Sequence, residues 1–571
     1  MAEILKRPAR IFIPEEFIIT DWASLEPYYA QLENRLIASK ADLELWLKHR
    51  SELDGLVAEN LGWRYIRMTC DTSNKTFEAD FIYFVENIEP QLAPCNDRLN
   101  RKLMDSDFVG ELDASKYFIY LRAVKREIEI FREENIPLFV ELNKLQQQYG
   151  SISGAMTVNI KGQEYTLQQA ANFLKSTNRA EREEAYYKIA ERRHQDSQVL
   201  DHLFDQLLKL RHQVAINAGF ENFRDYMFAA MGRFDYSPQD CFNFHESIKT
   251  EIVPILNLLA KERMHALKLE KLKPWDLDVD PEGKPALMPF STGKELTEKT
   301  IACLKKVNSY FGNCIETMQA MGHLDLESRI GKAPGGYNYP LPEIGVPFIF
   351  MNSAGNIRDL QTMVHEAGHA VHSFLTKDLE LNAFKITPSE VAELASMSME
   401  LISMSAWDSF FSDADELRRA KVDQLEGVLE TLPWVAIVDK FQHWIYTHPS
   451  QTAEERTAAW LSILDEYALE GLDWQGQEKY RASSWHKQLH IFEVPFYYIE
   501  YGMAQLGAIA MWMNYVKDPI AGTENYIKAL KLGYLKTIGE IYEAGGIRFD
   551  FSKAYVKTLA SFITHELEKV K

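Results

Sequence analysis

The run Val364-His365-Glu366-Ala367-Gly368-His369 constrains this chain more than any other feature. It spells H-E-x-x-H, which on a helix places two imidazoles at i and i+4 on one face. Two neutral imidazoles so placed can chelate zinc. Glu366 sits about 100° around the helix from His365, outside the first ring of ligands but within reach of a water on the metal. A dication held there acidifies that water, and a neighbouring carboxylate can take its proton and pass it to a leaving amine. The flanks Leu360, Met363, Val364, Ala367, Ala370, Val371, Phe374 and Leu375 are apolar, so the helix is expected to be buried. A solvated helical face would not carry such flanks. Buried histidines and a buried glutamate are costly unless paired or metal-bound.

The third ligand must come from elsewhere. A three-histidine site would need His at position 375, which is Leu375, and the inverted H-x-x-E-H spelling is absent. A carboxylate on a second helix is the remaining common solution. Lys385 to Glu390 reads as a helix start, with Thr387 as N-cap, Pro388 at the first position and Glu390 closing a capping box. Glu393 lies one turn in. Glu400 follows seven residues later, about 20° away on the same face. Their apolar neighbours argue against surface carboxylates. Glu393 is the expected third ligand, and Glu400 the acceptor for an imidazole N–H behind the metal. His372 lies on the same side of the motif helix. It reads as a hydrogen-bonded histidine of the core or one supporting the ligands, with direct ligation as an alternative.

Two further segments carry candidate chemistry. His490 precedes a cluster of Tyr497, Tyr498 and Tyr501, with Pro495 suited to start a helix. Neutral His N–H and Tyr O–H groups can donate to a tetrahedral oxyanion. The same composition also suits an aromatic core stripe. Upstream, Gly335-Gly336-Tyr337 forms a flexible loop, and Val346 to Asn352 reads as a short strand whose edge could take up a peptide backbone. An ordinary turn and core strand is the competing reading.

Together these segments resemble the oligoendopeptidase F / thimet oligopeptidase family of zinc metallopeptidases, and more closely its oligoendopeptidase F branch. The residues that carry the resemblance are Gly335-Gly336-Tyr337, His365-Glu366-x-x-His369, Glu393-x-x-Ser396, and His490 with Pro495-Phe496-Tyr497-Tyr498-x-x-Tyr501. The resemblance implies a mainly α fold: a two-lobed helical ellipsoid around a deep channel, with a small β-sheet beside the zinc helix. It implies one zinc ion on His365, His369 and Glu393, and Glu366 as general base. It implies that His490 with Tyr498 or Tyr501 stabilises the transition state, and that short peptides are cut internally. Gly335, Gly336, Tyr337 and Tyr497 are the candidate substrate contacts. The His-to-Tyr spacing departs by about one residue from the thimet branch, which leaves the choice of tyrosine open. A metallocarboxypeptidase on a similar scaffold and an inactive peptide-binding protein are the rival readings.

Other features set limits. A chain of 571 residues exceeds one compact core. An N-terminal helical lobe over 1–205 and a catalytic lobe over 206–571 are expected. The formal net charge of −20 disfavours nucleic acid and anionic membranes as partners. No run reaches the ~18 apolar residues of a membrane span. Met1 to Pro8 lacks an apolar signal region, and the five cysteines are scattered without C-x-x-C, so a cytoplasmic location is expected. Oligomeric state is not readable. Helical periodicity covers Asp21 to about Asn60 and recurs over 75–89, 95–106, 112–135, 137–149, 166–218 and 238–270. A strand-rich insert is expected over 150–166, and a long loop from Lys273 to Pro285.

Overall fold

A computed structural model describes residues 4–571; Met1, Ala2 and Glu3 of the N-terminal segment read above lie outside it. Helices dominate, joined by short turns, and the described residues form two small sheets. Asp21 caps the first helix, Trp22–Asn34, and a second runs Lys40–Cys70. The periodic stretch 238–270 divides into Pro238–Glu251 and Val253–Leu267, with Pro254 in the first turn of the second, where its missing N–H costs nothing. The expected loop holds one short turn, Pro274–Asp276.

Of the insert expected over 150–166, residues to Gly154 end the helix Ile136–Gly154, and the rest holds a hairpin of β1 (Thr157–Ile160) and β2 (Gln163–Thr166). Lys161 and Gly162 form its turn, both at positive φ, as a two-residue hairpin with matching twist requires. The second sheet contains β3 (Leu324–Glu327), β4 (Tyr337–Tyr339) and β5 (Phe348–Ser353) in the order β3-β5-β4. β5 pairs parallel with β3 and antiparallel with β4. The sheet stands against the helix Ile357–Thr376 that carries the H-E-x-x-H spelling, called here the motif helix.

Two large apolar cores divide the molecule. The smaller gathers residues between Ile13 and Val124 with Leu381 and Phe384. The larger runs from Leu142 to Leu567 and contains the motif helix. Residues 142–204 thus pack with the larger core, although the sequence grouped them with the N-terminal lobe, and position 205 falls inside the helix Ser197–Asn217. Local periodicity cannot say which of two cores a helix joins. Between the cores lies a cavity of about 1140 Å³. Tyr29, Arg50 and Glu127 line one side, and His369, Glu393 and Tyr497 the other. Among the described residues no helix is long and apolar enough to cross a membrane. All five cysteines are free thiols.

Candidate active site

The motif helix starts at a capping box: the Asn356 side chain accepts from the Asp359 amide, and Asp359 reciprocates. Its apolar stripe, including Leu360, Met363, Val364, Ala367 and Val371, is fully buried. The histidines at 365 and 369 therefore turn toward the cavities. The second helix, Ser389–Ser403, crosses it at close range. Gly368 makes that approach possible. A Cβ there would stand 2.5 Å from Ser396 Cα and 2.7 Å from the Ala395 carbonyl oxygen. This helix begins differently from the sequence expectation. Pro388 occupies the cap position with no side-chain cap bond, and Thr387 lies outside. Glu390 closes no capping box. It is buried, and its carboxylate accepts from the Tyr236 hydroxyl at 2.5 Å. A distant tyrosine has won the group that local pattern assigned to the helix end.

Glu393 meets both histidines. Its Oε2 lies 3.4 Å from His365 Nε2 and 3.9 Å from His369 Nε2, and donor atoms of the three residues all fall within 4.8 Å of one another. His365 Nδ1 is 2.6 Å from Glu400 Oε1, and Glu400 Oε2 accepts from Gln424 at 2.8 Å. Glu400 thereby fixes the ring with Nε2 facing Glu393. Glu393 is itself held: Oε1 accepts from the Tyr497 hydroxyl at 3.1 Å and Oε2 from Ser396 Oγ at 3.2 Å. His372 is buried with Nε2 unpaired, and makes no hydrogen bond to this cluster.

The electrostatics follow from burial among opposite charges. Burial disfavours the His365 cation, yet Glu393 and Glu400 outweigh it and raise its pKa well above the ordinary histidine value. Burial likewise opposes the Glu393 carboxylate, but the His365 hydrogen bond and the charges of both histidines hold it down at about 2. His369 is pushed down to about 4 by burial. Two imidazole nitrogens and a carboxylate oxygen, converging with an accessible side, match the donors of a zinc site that keeps a position open. A carboxylate behind one imidazole is the usual support for such a ligand.

Glu366 is 7% exposed and lines a cleft of about 390 Å³ with His365, Glu400, Arg358 and Gln424. Burial raises its carboxyl pKa to about 7; a dication on the neighbouring cluster would draw it down again. The Glu366 carbonyl accepts from Asn338 of β4 at 3.3 Å, which ties the sheet to the motif. Here the strand expectation needs correcting. The segment containing Phe348–Ser353 is the central strand, paired on both sides, so it has no edge to offer a peptide. β3 and β4 are the outer strands, and β4 follows directly after Gly335-Gly336. Gly335 has φ of 98°, and a Cβ on Gly336 would stand 3.3 Å from the Phe350 carbonyl oxygen. Tyr337 stacks on Phe350 at 4.8 Å and its hydroxyl meets Thr69 Oγ1 at 2.6 Å, so its ring is anchored inward.

The second constellation is folded less regularly than its spelling suggests. Pro495 starts no helix. A short helix, Leu489–Glu493, is followed by Phe496 at φ 68°, and the tyrosine helix begins at Tyr498. Phe496 is held there by tertiary contacts: its N–H donates to Gln442 Oε1 at 2.7 Å, and Arg233 donates to its carbonyl. A chain of hydrogen bonds sets His490. Trp434 Nε1–H donates to Gln488 Oε1 at 2.9 Å, which leaves the Gln488 amide nitrogen to donate to His490 Nδ1 at 2.7 Å. The remaining proton must sit on Nε2. Burial lowers the ring's pKa to about 4, so His490 is a neutral donor. Its ring stands 4.8 Å from Tyr498 and 5.8 Å from Tyr501. Burial and then the Glu393 charge raise the pKa of both Tyr497 and Tyr501. Tyr498 is pushed up to about 12 by burial, with Trp434 and Gln488 opposing the rise. Sequence reading missed Trp434, Gln424 and Gln488. Only Gln488, two residues before His490, had any positional signal.

The fold and this site are those of a metallopeptidase. The profile of peptidase family M3 matches residues 172–561, and that of the peptidase M3 N-terminal domain matches residues 12–131. The chain belongs to peptidase family M3, on its oligoendopeptidase F branch. It is 22% identical over 536 residues to an oligoendopeptidase F homolog of Borreliella burgdorferi, covering 89% of this chain and 87% of that protein. The structure of Pz peptidase A with inhibitor 2 superposes with a TM-score of 0.90 at 26% identity, covering 97% of this chain and 99% of that one. Oligoendopeptidase F from Enterococcus faecium shares the fold, with a TM-score of 0.64 at 17% identity over 96% of this chain and 97% of that one.

Proposed function

We propose that the protein is a zinc-dependent endopeptidase acting on short peptides. The observation that carries this reading is the convergence of His365, His369 and Glu393, from two helices locked together at Gly368, beside the buried Glu366. His365, His369 and Glu393 would hold one zinc ion, which when bound supplies a Lewis acid for the scissile carbonyl and for water. Glu366 takes the proton of the attacking water and returns it to the leaving amine. His490 Nε2–H and the Tyr501 hydroxyl donate to the developing oxyanion, with Tyr498 as the alternative partner. The outer strand β4, after Gly335 and Gly336, takes the peptide backbone in register, with Tyr497 beside it and Tyr337 anchoring the strand from behind. The cavity between the two cores admits an extended chain but not a folded domain, which supports short peptides as substrates.

A quenched peptide blocked at both ends tests this directly. It should be cut internally, and the cutting should stop on chelation and return with zinc. A strict carboxypeptidase would leave it intact, and an inactive binding protein would leave every peptide intact.

A further inference from the structure

Away from the cleft, two helices bring a second set of metal-type donors together. Cys241 and His245 stand at i and i+4 on Pro238–Glu251, and Asp439 and His443 at i and i+4 on the long helix Ala414–Thr447. Donor atoms of Cys241, Asp439 and His443 lie within 4.8 Å of one another. Cys241 and Asp439 are 0% exposed, and His245 and His443 are 3% exposed. His443 Nε2 is 3.3 Å from Asp439 Oδ2, and His245 Nε2 is 2.8 Å from that same oxygen.

The remaining polar atoms are unaccounted for. Asp439 Oδ1, Nδ1 of His443 and Nδ1 of His245 have no hydrogen-bond partner, and His443 Nε2 meets only Asp439 Oδ2 without hydrogen-bond geometry. Each such buried atom is destabilising, and native cores seldom gather several at one point. Phe242, Phe496 and Phe228 close around the His443 ring at 4.8, 5.3 and 5.9 Å. The pocket is walled by rings, not by groups that could satisfy these atoms.

We propose that Cys241, Asp439 and His443 form a buried structural site for a zinc ion, with His245 orienting Asp439. Thiolate, imidazole and carboxylate together suit zinc and disfavour calcium and magnesium. The thiolate and carboxylate also balance the two positive charges. Burial raises the Cys241 pKa, so the thiol is protonated until an ion arrives; binding releases that proton to solvent. A nucleophilic Cys–His–Asp triad is ruled out because no substrate reaches a fully buried sulfur. Full burial also means that the ion enters as the chain folds. Its place in the fold suggests what it does. Gln442, beside His443, is the acceptor for the Phe496 amide, so the ion would pin the two helices directly behind the turn that aims Tyr498 and Tyr501.

The test is independent of the cleft, because His365, His369 and Glu393 contain no sulfur. Protein produced in cobalt-supplemented medium should show a thiolate-to-cobalt charge-transfer band in the near ultraviolet. The band and one metal equivalent should survive His365→Ala; in Cys241→Ser the band should disappear and the metal content should fall by one equivalent, leaving the ion of the cleft, together with a lowered Tm. A cobalt-loaded wild-type protein without the band overturns the proposal, as does a band that persists in Cys241→Ser. The wild-type spectrum alone decides if the variant does not fold.

Discussion

The two halves of the candidate site are built on opposite principles. The motif helix and the Glu393 helix are regular, the first closed by a capping box, and packed backbone to backbone at Gly368. The segment from Gln488 to Tyr501 is a broken chain: a five-residue helix, a bulky residue at positive φ and a late helix start. In the first half, spacing along the helix sets the geometry, because i and i+4 on one face leave little freedom. In the second, side chains from elsewhere set it, since Gln442 and Arg233 hold Phe496 in a conformation that costs a non-glycine residue free energy. The proposed reaction centre is thus joined to a proposed donor wall that depends on long-range contacts.

Substitutions can separate the halves. The largest effect is expected from Glu366→Gln, which keeps the shape and the proposed zinc ligands but removes the proposed base. Turnover should fall about 10⁴-fold at unchanged metal content, as read by kcat and elemental analysis. If activity survives, the general-base assignment is wrong. In the donor wall, Tyr501→Phe should lower kcat about 10²-fold with little change in KM, whereas Tyr498→Phe, whose hydroxyl faces Trp434, should cost only a few-fold. The reverse order would mean that the wall rearranges around substrate. Gly368→Ala tests the rigid half by geometry alone. The added methyl must part the helices, destabilising the fold by about 1–3 kcal/mol in denaturant titrations and weakening metal retention in dialysis. A variant with wild-type metal content would show that the helix pair is softer than its packing implies.

The smallest effect concerns the sheet that supports the Gly loop. Asp325, on β3, accepts from Arg329 and from the buried Lys332, whose Nζ also reaches backbone carbonyls of the sheet. Burial opposes the carboxylate, but these partners hold its pKa down to about 2 against an ordinary 3.8. The depressed folded value means that the stabilisation is present above about pH 4 and is lost as pH falls toward 2. Asp325→Asn should therefore cost about 2 kcal/mol at neutral pH and progressively less in acid, measured as the difference between the two proteins' unfolding curves.

Much of this was legible in residue order. The buried motif helix, Glu393 beside both histidines, Glu400 behind His365 and the presence of strands within 150–166 were readable from periodicity, helix geometry and alternation. The errors share a cause. The capping box at Thr387 and Glu390, the helix start at Pro495 and the free edge of the Val346–Asn352 strand were inferred from neighbours in sequence. In each case a distant partner intervened: Tyr236 took Glu390, Gln442 and Arg233 bent the chain at Phe496, and β3 and β4 covered both edges of β5.

Sequence alone determined the elements whose information is local: helix faces, turns and the side-chain types gathered in the motif. Tertiary structure decided which tyrosine hydroxyl faces Glu393, which strands are outermost, how the Trp434–Gln488 relay sets the proton on His490, and that Cys241 meets Asp439 and His443. Those outcomes depend on contacts between segments far apart in the chain, and such contacts leave no periodicity for a sequence to display.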